Sequence, residues 1–415
     1  MKVFKFGGAS VKDVSGVRNV AIILQSYLNT PIVIVISAMG KTTNALEKII
    51  NQFRDGTDHT AELLSLKQFH ASIMKGLFPE NHAVFTIVDG LFSELEIQLK
   101  KQPMYDELYD QTVSLGELIS TVIVYQYLLH QKLVCEWVDA REYIYTDNTF
   151  REGKVNWQKT CTAIEPVKQI LKSKHFVITQ GFIGKSENGL TTTLGRDGSD
   201  FSAAIFASCL NAESLTIWKD VPGVMNADPK RLPAATVFSE LPFREAAEMT
   251  YYGASVIHPK TIKPLAIKGI PLFVKNFDDP SLPGTKIYEC HVDQLPPLIV
   301  FKDHQCLVSC KVTDYTFITE DHLRQIFSVL AELNIQINVM QNSAMSFSFC
   351  IDFRESKIKA LIARLQPHFE VYYNTGLTLI TVKNYNAETF EFYRKKPGVL
   401  LEQSSRSTLQ VLTKT

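Results

Sequence analysis

The chain has 415 residues, 45% of them hydrophobic and 21% charged, with 43 basic and 43 acidic side chains. That length exceeds one ordinary core and predicts two or three domains of globular type. A formal net charge of zero, without a long block of one sign, argues against a nucleic-acid partner, and no apolar run reaches the length that spans a bilayer.

Met1-Lys2-Val3-Phe4-Lys5-Phe6 alternates charged and apolar residues, as a strand does and a signal peptide does not. It runs into Gly7-Gly8-Ala9-Ser10 and then a helical pattern over 14–28. Two glycines between a strand and a helix outline a phosphate cradle; the same pattern also serves a plain tight turn with an exposed lysine. A strand over 31–37 ends in Ser37-Ala38-Met39-Gly40-Lys41-Thr42-Thr43-Asn44 and opens a helix over 43–50. Ser37 and Thr43 can be simple caps, but in a parallel sheet such junctions share one edge, where ligands collect. Residues 51–109 lack strand signals and read as a mostly helical insertion. Ser114-Leu115-Gly116-Glu117 then opens an apolar helix over 115–129, with Glu117 placed to complement the dipole of its first turn.

Strands at 133–138 and 176–180 follow, the second ending in Gln180-Gly181-Phe182-Ile183-Gly184. Next comes Thr191-Thr192-Thr193-Leu194-Gly195-Arg196-Asp197-Gly198-Ser199-Asp200, ahead of a helix over 201–210. Helix capping accounts for Ser199 as N-cap and Asp200 in the first turn. It leaves over Arg196, whose planar fork suits a carboxylate or phosphate, and the threonine run. A strand over 214–218 ends in Trp218-Lys219-Asp220-Val221-Pro222-Gly223-Val224, and Asp228-Pro229 marks a further turn. In Tyr251-Tyr252-Gly253-Ala254-Ser255-Val256-Ile257-His258-Pro259, His258 reads as a hydrogen-bonded structural residue. Short apolar strands alternating with helices predict an α/β fold: a three-layer, mostly parallel sheet.

The Pro- and Gly-rich passage over 277–285 and Gln294-Leu295-Pro296-Pro297 mark a boundary, giving a first domain over 1–287 and a second over 288–415. Beyond it, strand 308–312, helix 320–332, strands 335–340 and 345–353, helix 357–365 and strand 377–382 spell β-α-β-β-α-β, the ferredoxin-like order. The tail over 389–415 shows two strand-like pieces, 399–402 and 408–413. The seven cysteines are scattered and odd in number, which predicts reduced thiols in a cytoplasmic protein, with neither disulfides nor a metal site.

Taken in this order, K-F-G-G-x-S, S-A-M-G-K-T-T-N, S-x-G-E, G-F-I-G, T-T-T-L-G-R-x-G-S-D, D-V-P-G and G-A-x-V-I-H-P resemble the aspartate kinases of the amino-acid kinase superfamily, across residues 2 to about 287. Residues 306–382 look like one ACT module, the small βαββαβ unit that binds amino-acid effectors in that family. The resemblance implies transfer of the ATP γ-phosphoryl group to the β-carboxylate of L-aspartate, with Mg²⁺. It implies that Lys5 steadies the transferring phosphoryl group and that Gly7, Gly8, Ser10, Gly198 and Ser199 surround the phosphates. Asp200 would position groups near the phosphates and Mg²⁺. Arg196 would hold the α-carboxylate and Glu117 the α-ammonium, with Ser37, Thr43 and Phe182 shaping the pocket. Lys219, Asp220, Met225 and Lys230 would line the nucleotide side. No protein metal site is implied.

The chain departs from the family at several points. Ser255 stands where some members have Lys, and Lys219 where Thr is frequent; Lys219 can supply part of the missing charge. Met225 replaces a common aromatic. The loop over 313–320 lacks a glycine common in effector sites. The second ACT module has strands at 298–301 and in the tail but too few residues for its helices, which argues against the usual lysine or threonine feedback and leaves dimerisation as its role. Without a dinucleotide fingerprint after the ACT region, a monofunctional, homo-oligomeric kinase is expected. A kinase for another small acidic amino acid, or an amino-acid sensor with a decayed kinase domain, are the alternatives. Decay predicts loss of Lys5, Glu117, Arg196 or Asp220, and all four are present.

Overall fold

The computed structural model describes every residue except Gln102, Ser255, Val256, Asp293, Tyr315 and Thr415. The comparison of Ser255 with a family lysine, and part of the 251–259 and 313–320 segments, therefore lie outside the described residues. The chain forms two compact units: Met1–Val224 with Val237–Ala247 and Val256–Val292, and Met225–Thr236 with Glu248–Ser255 and Asp293–Thr415.

In the first unit, β1 (Lys2–Phe6), α1 (Val14–Gln25), β2 (Ile32–Ile36) and α2 (Thr42–Arg54) open the chain. α3 (Thr60–Leu77), α4 (Val84–Lys100) and α5 (Tyr105–His130) follow, then β3 (Cys135–Trp137) and β4 (Tyr145–Thr146). Next come α6 (Trp157–Ile164), α7 (Val167–Ser173), β5 (Phe176–Gln180), β6 (Ile183–Ser186), β7 (Thr191–Thr193), α8 (Gly198–Leu210) and β8 (Leu215–Lys219). The chain continues through β9 (Glu240–Pro242), α9 (Phe243–Tyr251), of which the residues from Glu248 on belong to the second unit, α10 (Pro259–Lys268), β10 (Leu272–Asn276) and β11 (Thr285–Tyr288).

The main sheet has the order β3-β5-β2-β1-β8-β10-β11-β9 and is parallel except where β10 meets β11. β2, Ile-Val-Ile-Val-Ile, has no exposed residue, which is what a strand covered on both faces by helices requires. Because β1, β2, β5 and β8 run the same way, Lys5, Ser37, Gln180 and Lys219 come to one edge of the sheet. A second, three-stranded sheet, β4-β6-β7, carries the threonine run.

α5 departs from expectation. It begins at Tyr105, not near 115, and at 26 residues is long and apolar enough by composition to cross a membrane, so the expectation that no segment reaches that length is corrected. Most of it is buried in the first unit's core, and it carries the buried carboxyls Asp110 and Glu117. His258, as expected, is structural: its side chain caps α10, accepting from Lys260 N at 3.1 Å, with Pro259 at the first helical position.

The cysteine reading is also corrected. Cys161 and Cys209 form a disulfide. α6 packs against α8, which brings together two thiols 48 residues apart, a proximity that spacing alone does not reveal. The other five cysteines are free thiols. Thiol titration of denatured, non-reduced protein should therefore count five, and Cys209→Ser should cost about 2–4 kcal/mol of stability under oxidising conditions and little after reduction. A count of seven would overturn the pairing.

In the second unit, β12 (Leu298–Lys311), α11 (Glu320–Glu332), β13 (Ile337–Asn342), β14 (Ser346–Asp352), α12 (Glu355–Leu365) and β15 (Glu370–Lys383) form the expected βαββαβ module. The tail holds α13 (Ala387–Arg394), β16 (Val399–Ser404) and β17 (Thr408–Lys414). The antiparallel sheet order is β13-β14-β12-β15-β17-β16. β12 and β15 are 14 residues each, twice the usual length: their halves 305–311 and 370–374 build the first module, and 298–302 and 377–383 pair again to start the second. The expectation of a helix-free tail is corrected by α13, which Asn386 starts through a reciprocal capping box with Thr389.

Candidate active site

The junctions at the sheet's edge surround a cavity of about 620 Å³, a size suited to a small metabolite. Its lining includes Lys5, Gly8, Ser37, Thr43, Glu117, Phe182, Arg196, Gly198, Ser199, Asp200 and Lys219, so eleven of the sequence-predicted residues meet there. Gly7 sits beside the Lys5 ammonium. Ser10 and Asp220 line a neighbouring cavity of about 370 Å³ with Lys12, Asp13, Asn19 and Asp278. Met225 and Lys230 belong to the second unit, the first half-buried and the second exposed.

Backbone packing forms this cavity. Gly8 lies so close to the junction after β2 that a Cβ there would sit 2.5 Å from Ala38 O, and Gly40 N donates to Gly8 O at 2.9 Å. Phe182 holds a left-handed φ of 72°, a strained value for an aromatic residue, fixed by its N–H donating to Ser202 Oγ and its carbonyl accepting from Leu194 N, both at 2.9 Å. α8 starts earlier than expected: Asp197, at φ 53°, is the N-cap, and its side chain makes no capping bond. Ser199 is thus in the first turn and not the cap, and the helix start faces the cavity.

Three charged groups converge on the phosphate-cradle side. Lys5 Nζ lies 2.6 Å from Asp200 Oδ1, and Lys219 Nζ 3.9 Å from Asp200 Oδ2. Burial works to raise the Asp200 carboxyl, but the two ammoniums outweigh it and hold Asp200 below the ordinary carboxylate range. Burial together with the charge of Lys5 lowers Lys219, against the pull of Asp200. Among the described residues no cluster of three or more His, Cys, Asp or Glu could hold a metal by itself.

On the other side stands Glu117, 3% exposed, its carboxylate accepting from Ala38 N while Oε2 has no hydrogen-bond partner among the described residues. Burial pushes this carboxyl up to about 8, with Lys5 pulling the other way. Arg196 is the opposite case: its side chain is 81% exposed, with Asp197 3.8 Å away.

The sequence missed Asn44, Tyr109, Arg151 and Glu152, which also line the cavity. Arg151, at φ 64°, stacks its guanidinium 4.0 Å from the Tyr109 ring centre and reaches Glu47 at 3.2 Å. No motif announces it. Asp110 is not among the lining residues, yet its buried carboxyl, pushed up by burial to about 6, ties the cavity wall together. The threonines have protein partners: Thr192 Oγ1 meets Thr146 Oγ1 at 2.7 Å, and Thr193 Oγ1 donates to Asp110 Oδ1 at 2.8 Å. The helical insertion also reaches this edge, where His70 Nε2 lies 3.3 Å from Thr42 Oγ1, beside Thr43. Burial lowers that imidazole to about 4, so it is neutral at pH 7.

A cavity at the C-terminal edge of a parallel sheet, with one buried lysine–aspartate pair and a buried glutamate that keeps one oxygen without a hydrogen-bond partner among the described residues, defines a phosphotransferase site for a small charged substrate. The amino acid kinase family model matches residues 1–276. The chain is 31% identical to lysine-sensitive aspartokinase 3 of Escherichia coli (strain K12) over 394 residues, covering 92% of this chain and 86% of that protein. It is 34% identical to the chloroplastic aspartokinase 1 of Arabidopsis thaliana, covering 88% of this chain and 66% of that protein. The structure of E. coli aspartokinase III in complex with aspartate and ADP superimposes with a TM-score of 0.85 at 27% identity, covering all of this chain and 96% of that one. The chain belongs to the aspartokinases of the amino acid kinase family.

Proposed function

We propose that this chain transfers the γ-phosphoryl group of ATP to the β-carboxylate of L-aspartate, giving 4-phospho-L-aspartate and ADP. The observation that carries the reading is the Oε2 of buried Glu117, without a hydrogen-bond partner among the described residues, in the same cavity as Lys5 and Arg196. A buried carboxylate oxygen without a donor is costly unless a ligand supplies one, and an α-ammonium does so. The attacking β-carboxylate, like any aspartate side chain with a pKa of ~3.9 in water, is ionised at neutral pH, so no general base is required. Its oxygen bonds to the γ-phosphorus as the bond to the ADP oxygen breaks, and no proton moves. Catalysis is then alignment and charge neutralisation.

In this reading Lys5 and Lys219 neutralise the phosphoryl oxygens, and Asp200 fixes both ammoniums. Gly7, Gly8, Ser10, Gly198 and Ser199 surround the phosphates with backbone and hydroxyl donors. Ser37, Thr43 and Phe182 shape the aspartate pocket, and Asp220, Met225 and Lys230 serve the nucleotide. Mg²⁺, when bound, supplies further neutralisation of the phosphates; Asp200 is the carboxylate that would face it, which fits an ion that is held largely by ATP oxygens. We assign catalysis to residues 1–287 and dimerisation to residues 288–415, in a cytoplasmic homo-oligomer. The E. coli relative is described as lysine-sensitive, which makes lysine the first effector to test, followed by threonine and methionine.

The test is an assay with ATP, Mg²⁺ and aspartate in which hydroxylamine traps the acyl phosphate. Hydroxamate formed with another small acid but not with aspartate would overturn the substrate assignment. Arg196→Ala should raise the aspartate KM about 10–100-fold, the worth of a charge-assisted hydrogen bond, and leave the melting temperature unchanged because the side chain is exposed. An unchanged aspartate KM would place the α-carboxylate clamp elsewhere.

A further inference from the structure

We propose that Asp110 is a positioning residue that sets the distance between the ammonium-binding and carboxylate-binding ends of the aspartate pocket; this rests on the functional reading above. α5 carries both Asp110 and Glu117. Seven residues separate them, two helical turns, so both project from one face about 10 Å apart along the axis. Glu117 enters the cavity. Asp110, fully buried, gives its carboxylate to the wall that carries Arg196. Its Oδ2 accepts from Thr193 N at 2.8 Å and from Arg151 N at 2.9 Å, and its Oδ1 accepts from Thr193 Oγ1 at 2.8 Å.

Thr193 ends β7, and Arg196 stands three residues further on. The neighbouring Gln111 secures the other end of β7, donating to Thr191 O at 2.8 Å and accepting from Thr191 N at 3.3 Å. β7 is therefore hung on α5 as well as paired with β6. The bond to Arg151 N also secures that residue's left-handed backbone, which places its guanidinium over Tyr109 at the cavity wall.

Holding a short strand on a helix needs no carboxylate; apolar packing does so without the cost of burying a charge. What the carboxylate adds is direction, because three donors from two segments are fixed by one side chain. Glu117 and Arg196 then take their separation from a single rigid element. A substrate whose ammonium and α-carboxylate are attached to the same carbon demands a fixed separation of that kind. This also gives Thr193, which lines the cavity, a structural role through Asp110 that helix capping does not supply.

The experiment compares wild type, Asp110→Asn, Thr193→Val and Thr193→Ser by steady-state kinetics with each substrate varied. Asp110→Asn and Thr193→Val should raise the aspartate KM about tenfold or more while the ATP KM stays within about twofold, and Thr193→Ser, which keeps the hydroxyl, should restore the wild-type value. An unchanged aspartate KM, or equal rises for both substrates, would overturn the role. If Asp110→Asn fails to fold, Thr193→Val decides, since it removes one of the three bonds and keeps the side chain's shape. A wild type that forms no hydroxamate with aspartate overturns the functional reading and this role with it. An active wild type whose folded variants show no KM split overturns the role of Asp110 alone.

Discussion

Lys5→Ala should lower kcat about 10³-fold, with the fold intact and the aspartate KM changed far less. The size follows from where the ammonium sits. Lys5 is 8% exposed at the end of β1, paired with Asp200 at 2.6 Å, so its position is set by the sheet and by an ion pair before any substrate arrives. Charge placed in advance in a water-poor site stabilises developing phosphoryl charge without reorganisation, and losing one such group costs about 10²–10³ in kcat. The alanine variant also leaves Asp200 to Lys219, 3.9 Å away, so a buried carboxylate would face the phosphates less well neutralised. Lys5→Arg separates the two effects: it keeps the charge, misplaces it, and should recover only part of kcat. Near-wild-type turnover in Lys5→Ala would remove Lys5 from phosphoryl transfer and leave Lys219 as the principal cation.

What was readable in the sequence follows from how strongly each segment is determined locally. β1 and β5 begin and end where expected, because short β-branched and aromatic stretches, Val3-Phe4 and Phe176-Val177-Ile178, run into the glycine turn signals at Gly7 and Gly181. The phosphate cradle and the tract before α8 were readable because close backbone approach and a helix start impose glycines and short polar residues. α5 was misread for an equally physical reason. Ser114 looks like an N-cap, but its hydroxyl donates back to Gln111 O within the continuing helix. Gly116 looks like a start signal, but it is a packing notch: a Cβ there would come 2.9 Å from Thr42 Cγ2 on α2. With the first residues of α5 assigned to an insertion, the two-turn relation between Asp110 and Glu117 could not be seen. The Cys161–Cys209 bond and the Arg151–Tyr109 stack lay beyond any local pattern, since helix packing and loop closure create them. In the tail, α13 buries only Tyr393, so its apolar periodicity is weak and the Asn386–Thr389 cap was its one clear signal.

Glu117→Gln should raise the aspartate KM about 100-fold or more, a larger loss than at Arg196, because burial decides what an ionic contact contributes. Arg196 is exposed, and water competes for it before and after binding. Glu117 is buried, and removing one member of a buried charge pair costs about 3–5 kcal/mol, or about 10²–10⁴ in binding. The same burial gives a pH signature. The Glu117 carboxyl titrates near 8 in the folded protein against an ordinary value of 4.5, so between those limits the ligand-free fold holds a proton that the unfolded chain has lost. Stability contributed by this group is therefore full below about pH 4.5 and declines as pH rises through about 8. Binding runs the other way, since the α-ammonium needs the ionised carboxylate. The aspartate KM should accordingly fall as pH rises from about 6 towards 8, and this limb should disappear in Glu117→Gln, whose amide does not titrate. Aspartate should also raise the melting temperature of the wild type more at about pH 8 than at about pH 6, because at the lower pH part of the binding energy goes into removing the proton. A wild-type aspartate KM that is flat across this range, or a Glu117→Gln profile with the same slope, would show that the ammonium binds another group.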